Sequence, residues 1–469
     1  MTMEQNFDFI VLGGGSAGYA AARTIHEHGG SVALVDGADE LGGLCILRGC
    51  MPSKTLIYSA EMLHLAQKGS TFGFVGEKPR ANIEAMHARK KEVIAEFADY
   101  RKGQLEDGRF SLFRSYGQFV DGQSVQLSDG TILRSAKILI STGSQVKVPN
   151  LPGLSGIDYK TSDDVLDLDT VPSECVVLGG GVVACELAQF LSRIGSRVTL
   201  LQRSPRLLKE FPREASRTLE NALELEGLAL QLEVNFKSFS QIDKESIEVT
   251  YEYQGKEKKV QTSFLFLALG REPATHALNL EHVGVNLLPT GHIQTNTFQQ
   301  TTCPNIYAAG DCTGPHEIVH IAIKQGETAA LHAMGQKVRP MQYDYLLSVV
   351  FTDPQLAIVG LNPSELKKRK IDFLSASFPF DDHGKSILMD AKYGYVAVHA
   401  DKKTGVVLGA ECVGKDAGEL IHSLSIAVGL KATVHDLLNA DWYHPTLSEI
   451  WTYPLEDLAE EIILPGQKK

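Results

Sequence analysis

The sequence has little of several features that mark special classes of protein. Cysteine is scarce, with seven residues scattered through 469, which excludes a disulfide-stapled scaffold. Positive charge is in deficit, because 45 Lys and Arg against 57 Asp and Glu give a net charge of −12. This balance argues against nucleic acid or an anionic membrane as the main partner. Apolar runs such as FLFLAL at 264–269 are far shorter than the roughly 20 residues that cross a bilayer, so no membrane span is predicted.

The N-terminus shows no basic segment followed by an apolar one, and residues 8–14 already have the pattern of a core strand. We therefore expect no signal peptide, a reducing cytoplasmic location, and cysteine pairs that are catalytic rather than structural. Hydrophobic residues at 43% and charged residues at 22% are ordinary values for a globular protein. The length predicts two to four domains, each with its own core.

Glycine, by contrast, is abundant, with 43 residues, and it clusters into motifs. The run DFIVL at 8–12 predicts a buried parallel strand, GGGSAG follows it, and a helical stretch leads to a second buried strand, VALVD at 32–36. Gly13, Gly15 and Gly18 form a G-x-G-x-x-G pattern. The missing side chains permit a tight turn, close approach to a pyrophosphate, and close packing of helix on strand. This βαβ unit predicts a dinucleotide site.

A second unit of the same kind, CVVLGGGVVACELAQFLSRIGSRVTLLQ, runs from Cys175 to Gln202. Its glycine motif has the G-x-G-x-x-A form, with Gly179, Gly181 and Ala184 at the three positions. Two such units, each between a strand and a helix, indicate two nucleotide sites in one chain.

The ends of the second strands distinguish the two sites. Asp36 and Gln202 each lie 23 residues after the first glycine of their motif. Asp36 is suited to accept hydrogen bonds from a ribose 2′-hydroxyl. Gln202 carries no charge that would repel a 2′-phosphate, and Arg203 and Arg206 follow it as possible phosphate partners. The pattern predicts that the second site prefers NADPH to NADH.

The segment GGLCILRGCMPSK at 42–54 indicates a redox centre. It places Cys45 and Cys50 five positions apart, shortly after the first nucleotide unit. The glycines allow the backbone to bring the two sulfurs together, and the residues from Pro52 to Lys54 predict the first turn of a helix or its continuation. The positive end of a helix and a nearby lysine would lower the pKa of a thiol, which favours thiol–disulfide exchange.

These motifs and several others follow one another over nearly all of the chain: GGGSAG, GGLCILRGCMPSK, STGS, GGGVVACELA, ALGREP, AAGD and HPTLSE. In this order they resemble the class I pyridine nucleotide-disulfide oxidoreductases, the flavoprotein family of dihydrolipoamide dehydrogenase, glutathione reductase and mercuric reductase. The resemblance implies FAD on the first unit and NAD(P)H on the second, and no metal site is predicted.

The resemblance also implies roles for particular residues. Cys45 would be the interchange thiol that attacks substrate, Cys50 the charge-transfer thiol beside the flavin, and Lys54 with Glu186 an ion pair near the flavin N5. The positions implied to hold FAD are Gly13, Gly15, Ser16, Gly18, Asp36, Gly43, Thr142, Gly143, Gly310 and Asp311. Those implied to hold NAD(P)H are Gly179, Gly181, Ala184, Gln202, Arg203, Arg206 and Gly270.

The segment DWYHPTLSE at 441–449 supplies an acid/base residue. A histidine with a pKa near neutral can take a thiol proton and return it. The resemblance implies that His444 does so, that Glu449 orients it, and that it reaches the disulfide of the other subunit. It therefore implies a homodimer with shared active sites.

The predicted fold class is α/β, with two Rossmann-like dinucleotide-binding domains and a C-terminal α+β dimerisation domain. Pro/Gly-rich links and a change to an antiparallel pattern from Met341 onward set the boundaries. We predict 1–148 for the first part of the FAD domain, 149–271 for the NAD(P) domain, 272–341 for the second part of the FAD domain, and 342–469 for the dimerisation domain.

The predicted activity is FAD-dependent NAD(P)H:disulfide oxidoreduction, most like dihydrolipoamide dehydrogenase, with a small-molecule or lipoyl-type disulfide as substrate.

Mercuric reductase is disfavoured because EEIILPGQKK lacks that enzyme's paired cysteines and His444 is present. A glutathione-reductase type stays open, because CILRGC resembles its CVIRGC. Trp442 and Tyr443 replace the His-Ala of lipoamide enzymes, which leaves the acceptor open. The alternative of another class is a flavoprotein redox sensor or complex subunit without turnover.

Overall fold

The computed structural model describes residues 4–462. Thirteen α-helices lie among these residues, and six short 3₁₀ turns accompany them. The helices are Ser16–Glu27, Gly43–Leu47, Cys50–Gln67, Ile83–Glu106, Ser162–Leu166, Val182–Ile194, Arg213–Leu225, Val319–Ala333, Pro363–Lys368, Gly384–Leu388, Ala417–Leu430, Val434–Leu438 and Thr452–Glu461. Within the described residues, no helix combines the length and the apolar character that crossing a bilayer requires.

A parallel sheet of five strands forms the first nucleotide unit. Its strands, in spatial order, are Ile306–Ala308, Ile138–Ile140, Phe9–Leu12, Val32–Val35 and Ser111–Phe113. Every residue of the central strand is buried. Phe9 and Val11 pack against helices on one face of the sheet, and Ile10 and Leu12 pack on the other face against residues of a small neighbouring sheet, including Val125. The helices Ser16–Glu27 and Val319–Ala333 pack closely on each other in this unit.

The first and last glycines of the motif in this unit have no room for a side chain. A Cβ on Gly13 would lie 2.4 Å from the carbonyl oxygen of Ser141, and its φ of +104° is a backbone conformation that L side chains rarely adopt. A Cβ on Gly18 would lie 1.8 Å from the carbonyl oxygen of Gly13. The loop and the start of the helix therefore touch backbone to backbone.

The second nucleotide unit repeats this design with four parallel strands. In spatial order they are Ala229–Gln231, Arg197–Leu201, Glu174–Leu178 and Leu265–Leu267. Gly179 has a φ of +122°, and a Cβ there would lie 2.2 Å from the carbonyl oxygen of Ala268. The same tight strand-to-helix turn thus occurs twice in the chain.

The remaining strands form smaller sheets and one C-terminal sheet. The smaller sheets are Glu4–Asn6, Ile132–Arg134, Ser124–Leu127 and Gly117–Asp121; then Asn235–Asp243, Ser246–Tyr253 and Lys256–Thr262; and the ribbon Ser144–Val146 with Arg271–Pro273. The C-terminal sheet is antiparallel, in the order Leu347–Val350, Gln355–Gly360, Val407–Gly414, Tyr395–Asp401 and Phe373–Pro379. Helices Ala417–Leu430 and Thr452–Glu461 pack on it. The predicted fold class is therefore confirmed.

A buried arginine links three parts of the chain. The Arg193 side chain is only 5% exposed, and its guanidinium lies 2.7 Å from Asp353 and donates from Nε to Glu226 at 3.0 Å. His64, on the helix that begins at Cys50, lies 3.7 Å from the same Glu226 carboxylate. At this guanidinium, the second nucleotide unit meets the C-terminal sheet and the helix that begins at Cys50.

Replacing Arg193 by alanine is expected to lower the free energy of unfolding by about 2–3 kcal/mol, because the partly buried carboxylates of Glu226 and Asp353 would lose the buried guanidinium that pairs with them. Equilibrium urea denaturation measures the loss. The control is Arg23→Ala, since the Arg23–Glu327 pair is 38% and 36% exposed. That variant should lose no more than about 1 kcal/mol. Equal losses for the two variants would contradict the structural role of Arg193.

Candidate active site

The two cysteines of the motif lie in two consecutive helices. Cys45 is in the short helix Gly43–Leu47, and Cys50 is the first residue of the helix Cys50–Gln67, directly after Gly49. The segment from Pro52 to Lys54 lies at the start of this helix, as the sequence predicts. Cys50 occupies the end where the helix dipole is positive, which stabilises a thiolate.

Both cysteines are thiols in the structure and interact directly. A hydrogen bond from the Cys45 thiol is the largest cause that lowers the pKa of Cys50 to about 7, against the opposing effect of burial, and Lys54 lowers it further. The same hydrogen bond, followed by burial, raises the pKa of Cys45 far above its ordinary range. At a pH near 7, the Cys50 thiol is therefore partly ionised, whereas Cys45 keeps its proton until a base removes it.

An ion pair joins the cysteine helix to the second nucleotide unit. Lys54 Nζ lies 2.7 Å from Glu186 Oε2, and the Glu186 side chain is only 3% exposed. The other carboxylate oxygen accepts a 2.9 Å hydrogen bond from the backbone N–H of Phe351, whose ring lies 4.9 Å from Lys54 Nζ. Sequence reasoning missed Phe351, because a backbone donor leaves no signal in side-chain identity.

His444 and Glu449 lie side by side at the far end of the chain. Nδ1 of His444 is 3.0 Å from both carboxylate oxygens of Glu449. The His444 side chain is 78% exposed in the protomer, whereas that of Glu449 is 11% exposed. Among residues 4–462, no hydrogen bond or ion pair connects His444 to either cysteine of the same chain.

The residues expected to hold FAD converge on the start of helix Ser16–Glu27. Asp36 accepts a 2.8 Å hydrogen bond from the backbone N–H of Gly14, which joins the carboxylate to the glycine loop. A Cβ on Gly43 would lie 2.8 Å from the Cα of Gly15, so the cysteine segment passes directly over this loop.

Across the same sheet edge, Ser144 donates a 2.7 Å hydrogen bond to Asp311, which follows Gly310. The Thr142 hydroxyl is buried with no hydrogen-bond partner in the described part of the chain, beside Gly143. A polar atom of this kind is usually paired, so a ligand is its natural partner. A narrow cradle with a free hydroxyl and a helix N-terminus fits a dinucleotide such as FAD.

The second glycine loop offers a similar but differently charged site. Gly181 precedes the helix Val182–Ile194, and Ala184 is buried in its first turn. Gln202 Oε1 accepts a 2.9 Å hydrogen bond from the backbone N–H of Arg203, whose side chain is exposed. Arg206 donates to the carbonyl oxygen of Lys209. Gly270, with a φ of +101°, bounds the loop on the neighbouring strand end.

The fold and this site together define a class of protein: an oxidoreductase with two dinucleotide sites and a pair of redox cysteines. The family described as pyridine nucleotide-disulphide oxidoreductase matches residues 7–326, and its dimerisation domain matches residues 346–454. The chain belongs to the pyridine nucleotide-disulphide oxidoreductase family. It is therefore a flavoprotein disulfide oxidoreductase, and the family implies FAD and a pyridine nucleotide as cofactors. The dimerisation domain supports a homodimer.

Known proteins similar to the chain include more than one kind of enzyme. Mercuric reductase of Staphylococcus aureus is 32% identical over 95% of this chain and 81% of the relative. Dihydrolipoyl dehydrogenase of Chlamydia trachomatis is 31% identical over 96% of each chain. Among solved structures, LpdA from Mycobacterium tuberculosis has a TM-score of 0.87 and 26% identity, covering 97% of this chain and 99% of the other. The similarity therefore leaves open which member of the family this chain is.

Proposed function

We propose that the protein is a dihydrolipoyl-dehydrogenase-like NAD(P)H:disulfide oxidoreductase that works through Cys45 and Cys50. The observation that carries the proposal is the placement of Cys50, in direct interaction with Cys45, at a helix start beside Lys54, together with the His444–Glu449 pair. A dithiol with one thiolate and one protonated thiol needs a separate base to activate the attacking sulfur.

The reaction follows from these groups. His444 of the partner subunit takes the Cys45 proton, and the Cys45 sulfur attacks the substrate disulfide. A mixed disulfide forms, and the released thiolate receives the proton from the histidine. The Cys50 thiolate then attacks the Cys45 sulfur, the second substrate thiolate leaves and takes up a proton from solvent, and a Cys45–Cys50 disulfide remains. When FAD is bound and has been reduced by NAD(P)H, it would supply the two electrons that restore the dithiol. For a lipoyl dithiol the same steps run in reverse.

The residues of the chain hold this chemistry in place. Lys54 keeps positive charge near Cys50 and lowers the thiol pKa, while the buried Glu186 fixes the lysine. Glu449 accepts the Nδ1–H of His444 and so leaves Nε2 as the nitrogen that handles protons. Because the imidazole is exposed in the protomer, the dimer is where it would meet a disulfide.

A panel of acceptors tests the proposal. Oxidised lipoamide, glutathione disulfide and Hg²⁺ are each assayed with NADH and with NADPH. We expect lipoamide to be reduced fastest. Faster reduction of glutathione disulfide would assign a glutathione-reductase type. Faster reduction of Hg²⁺ would instead assign the activity named for the mercuric reductase relatives. Reduced flavin that transfers electrons to none of them would favour a redox sensor or complex subunit.

Replacing Arg203 by alanine is expected to lower kcat/KM for NADPH about tenfold and to leave that for NADH within about twofold, because a charge-assisted contact to the 2′-phosphate would be lost. Steady-state kinetics with both cofactors measures the change. Arg197→Ala is the matched control, because Arg197 is an exposed arginine at the start of the strand Arg197–Leu201, which ends two residues before Arg203, and it pairs with Glu174. Equal losses for NADH and NADPH would reject the predicted preference for NADPH.

A further inference from the structure

A second histidine lies behind the carboxylate of Glu449. His383 is fully buried at the start of the short helix Gly384–Leu388, and its Nε2 lies 3.5 Å from Glu449 Oε1. The same oxygen is 3.0 Å from Nδ1 of His444. Glu449 therefore stands between a buried imidazole and an exposed one.

The hydrogen-bond partners of His383 define its protonation. A carboxylate can only accept, so Nε2 must carry a proton to interact with Glu449. Burial is the main cause that lowers the pKa of His383, the negative charge of Glu449 opposes it, and His444 lowers the pKa further. The ring is therefore neutral near pH 7, with a free lone pair on Nδ1. The buried Ser386 hydroxyl lies 2.8 Å from this nitrogen and donates to it.

Among the described residues, Glu449 is the polar group that lies next to Nε2 of His383. The Tyr453 ring meets the imidazole edge-on, with 6.2 Å between centroids, and stacks on Phe378 at 3.9 Å. Within the described residues, Nε2 is buried and forms no well-made hydrogen bond, because 3.5 Å is at the outer limit for one. Such contacts in active sites are often long without substrate and shorten when the site is engaged.

We propose that His383 is a positioning residue for thiol–disulfide exchange: its Nε2–H holds the carboxylate of Glu449, which in turn holds His444. This inference rests on the proposed function of His444. It explains how the imidazole of His444 is held in one orientation although it is 78% exposed, because so exposed a ring has few packing contacts to orient it. The Ser386 hydroxyl donates to His383 Nδ1, and the Nε2–H of His383 and the Nδ1–H of His444 both point to the carboxylate of Glu449, which accepts.

The test compares two replacements of His383. Leucine removes the donor and keeps the bulk, whereas glutamine places an amide N–H near the former Nε2. Exchange is measured from the reduced enzyme with oxidised lipoamide and, in parallel, glutathione disulfide. His383→Leu should lower the exchange rate about tenfold, because one oxygen of a buried carboxylate loses its donor. His383→Gln should stay within about threefold of wild type, and Ser386→Ala should cost about twofold to threefold.

A matched control separates positioning from general damage. His399 is another buried histidine in the C-terminal sheet, with Ser375 at Nδ1 and Glu411 at Nε2. His399→Leu should destabilise the protein to a similar extent in urea but leave the exchange rate unchanged. In a Glu449→Ala background, His383→Leu should add no further loss, because both changes act on one carboxylate.

Several outcomes would overturn the proposal. Equal losses for the leucine and glutamine variants, or additive losses with Glu449→Ala, would make His383 a structural residue only. If His383→Leu does not fold, the other two variants decide. A wild-type exchange rate in Ser386→Ala together with a tenfold loss of that rate in His383→Gln would also make His383 a structural residue only. Wild-type enzyme that exchanges with neither disulfide would overturn the proposed function itself.

Discussion

Replacing Cys50 by serine is expected to abolish disulfide reduction, with a loss of about 10⁴-fold or more, because the mixed disulfide on Cys45 would have no sulfur to resolve it. The long-wavelength absorbance expected of a thiolate beside oxidised flavin should be lost as well. Cys45→Ser should be equally inactive but should show this absorbance without added reductant, because Cys50 could no longer form its disulfide. Identical spectra for the two variants would contradict the assignment of the sulfurs.

The pKa of Cys50 supplies a sharper form of this prediction. Only a thiolate reacts with an alkylating agent, so the rate at Cys50 should rise with pH through a midpoint near 7 and fall away below it. Cys45→Ser keeps a hydroxyl donor and should hold the midpoint within about one unit, whereas Cys45→Ala should move it up toward about 8.5. Peptide mapping by mass spectrometry follows Cys50 separately from the other thiols. Equal midpoints in the two variants would show that the hydrogen bond does not set this pKa.

Replacing His444 by alanine is expected to slow dithiol–disulfide exchange by about 10²- to 10⁴-fold, the usual contribution of a positioned acid/base. Reduction of the enzyme by NAD(P)H should remain nearly intact, because that step needs neither the thiol proton nor the partner subunit. Stopped-flow measurement of the two half-reactions separates these effects. Loss of both half-reactions would contradict the assignment of His444 to the exchange step.

Mixed dimers test whether the site is shared between subunits. A heterodimer of Cys45→Ser and His444→Ala chains would place both changes in one composite site and leave the other site complete. Neither homodimer should turn over well, yet the heterodimer should recover about half of wild-type activity. If heterodimers form and stay inactive, the shared site fails and His444 acts within its own chain.

Short-range patterns of the chain predicted the parts of the molecule that depend on local backbone geometry. The glycine loops at Gly13 and Gly179 were predictable because no other residue fits a positive φ against a neighbouring carbonyl. The two cysteines were predictable as a pair from their spacing and their glycine neighbours. The helix that contains the segment from Pro52 to Lys54 was predictable as well, but its first residue, Cys50, was left undefined, because helix boundaries depend on capping geometry that sequence patterns define only loosely.

The sequence by itself determined the family, the two nucleotide units and the residue types available for redox chemistry, since these lie in motifs whose spacing is fixed by backbone sterics. Only the tertiary structure decided which distant groups act on them. Phe351 reaches Glu186, and His383 lies against Glu449 although 66 positions separate the two. Such contacts arise when sheets and helices pack, and they carry no periodic signal along the chain. The charge on Cys50 is likewise a tertiary property, because it depends on where the Cys45 proton points and on how far burial excludes water.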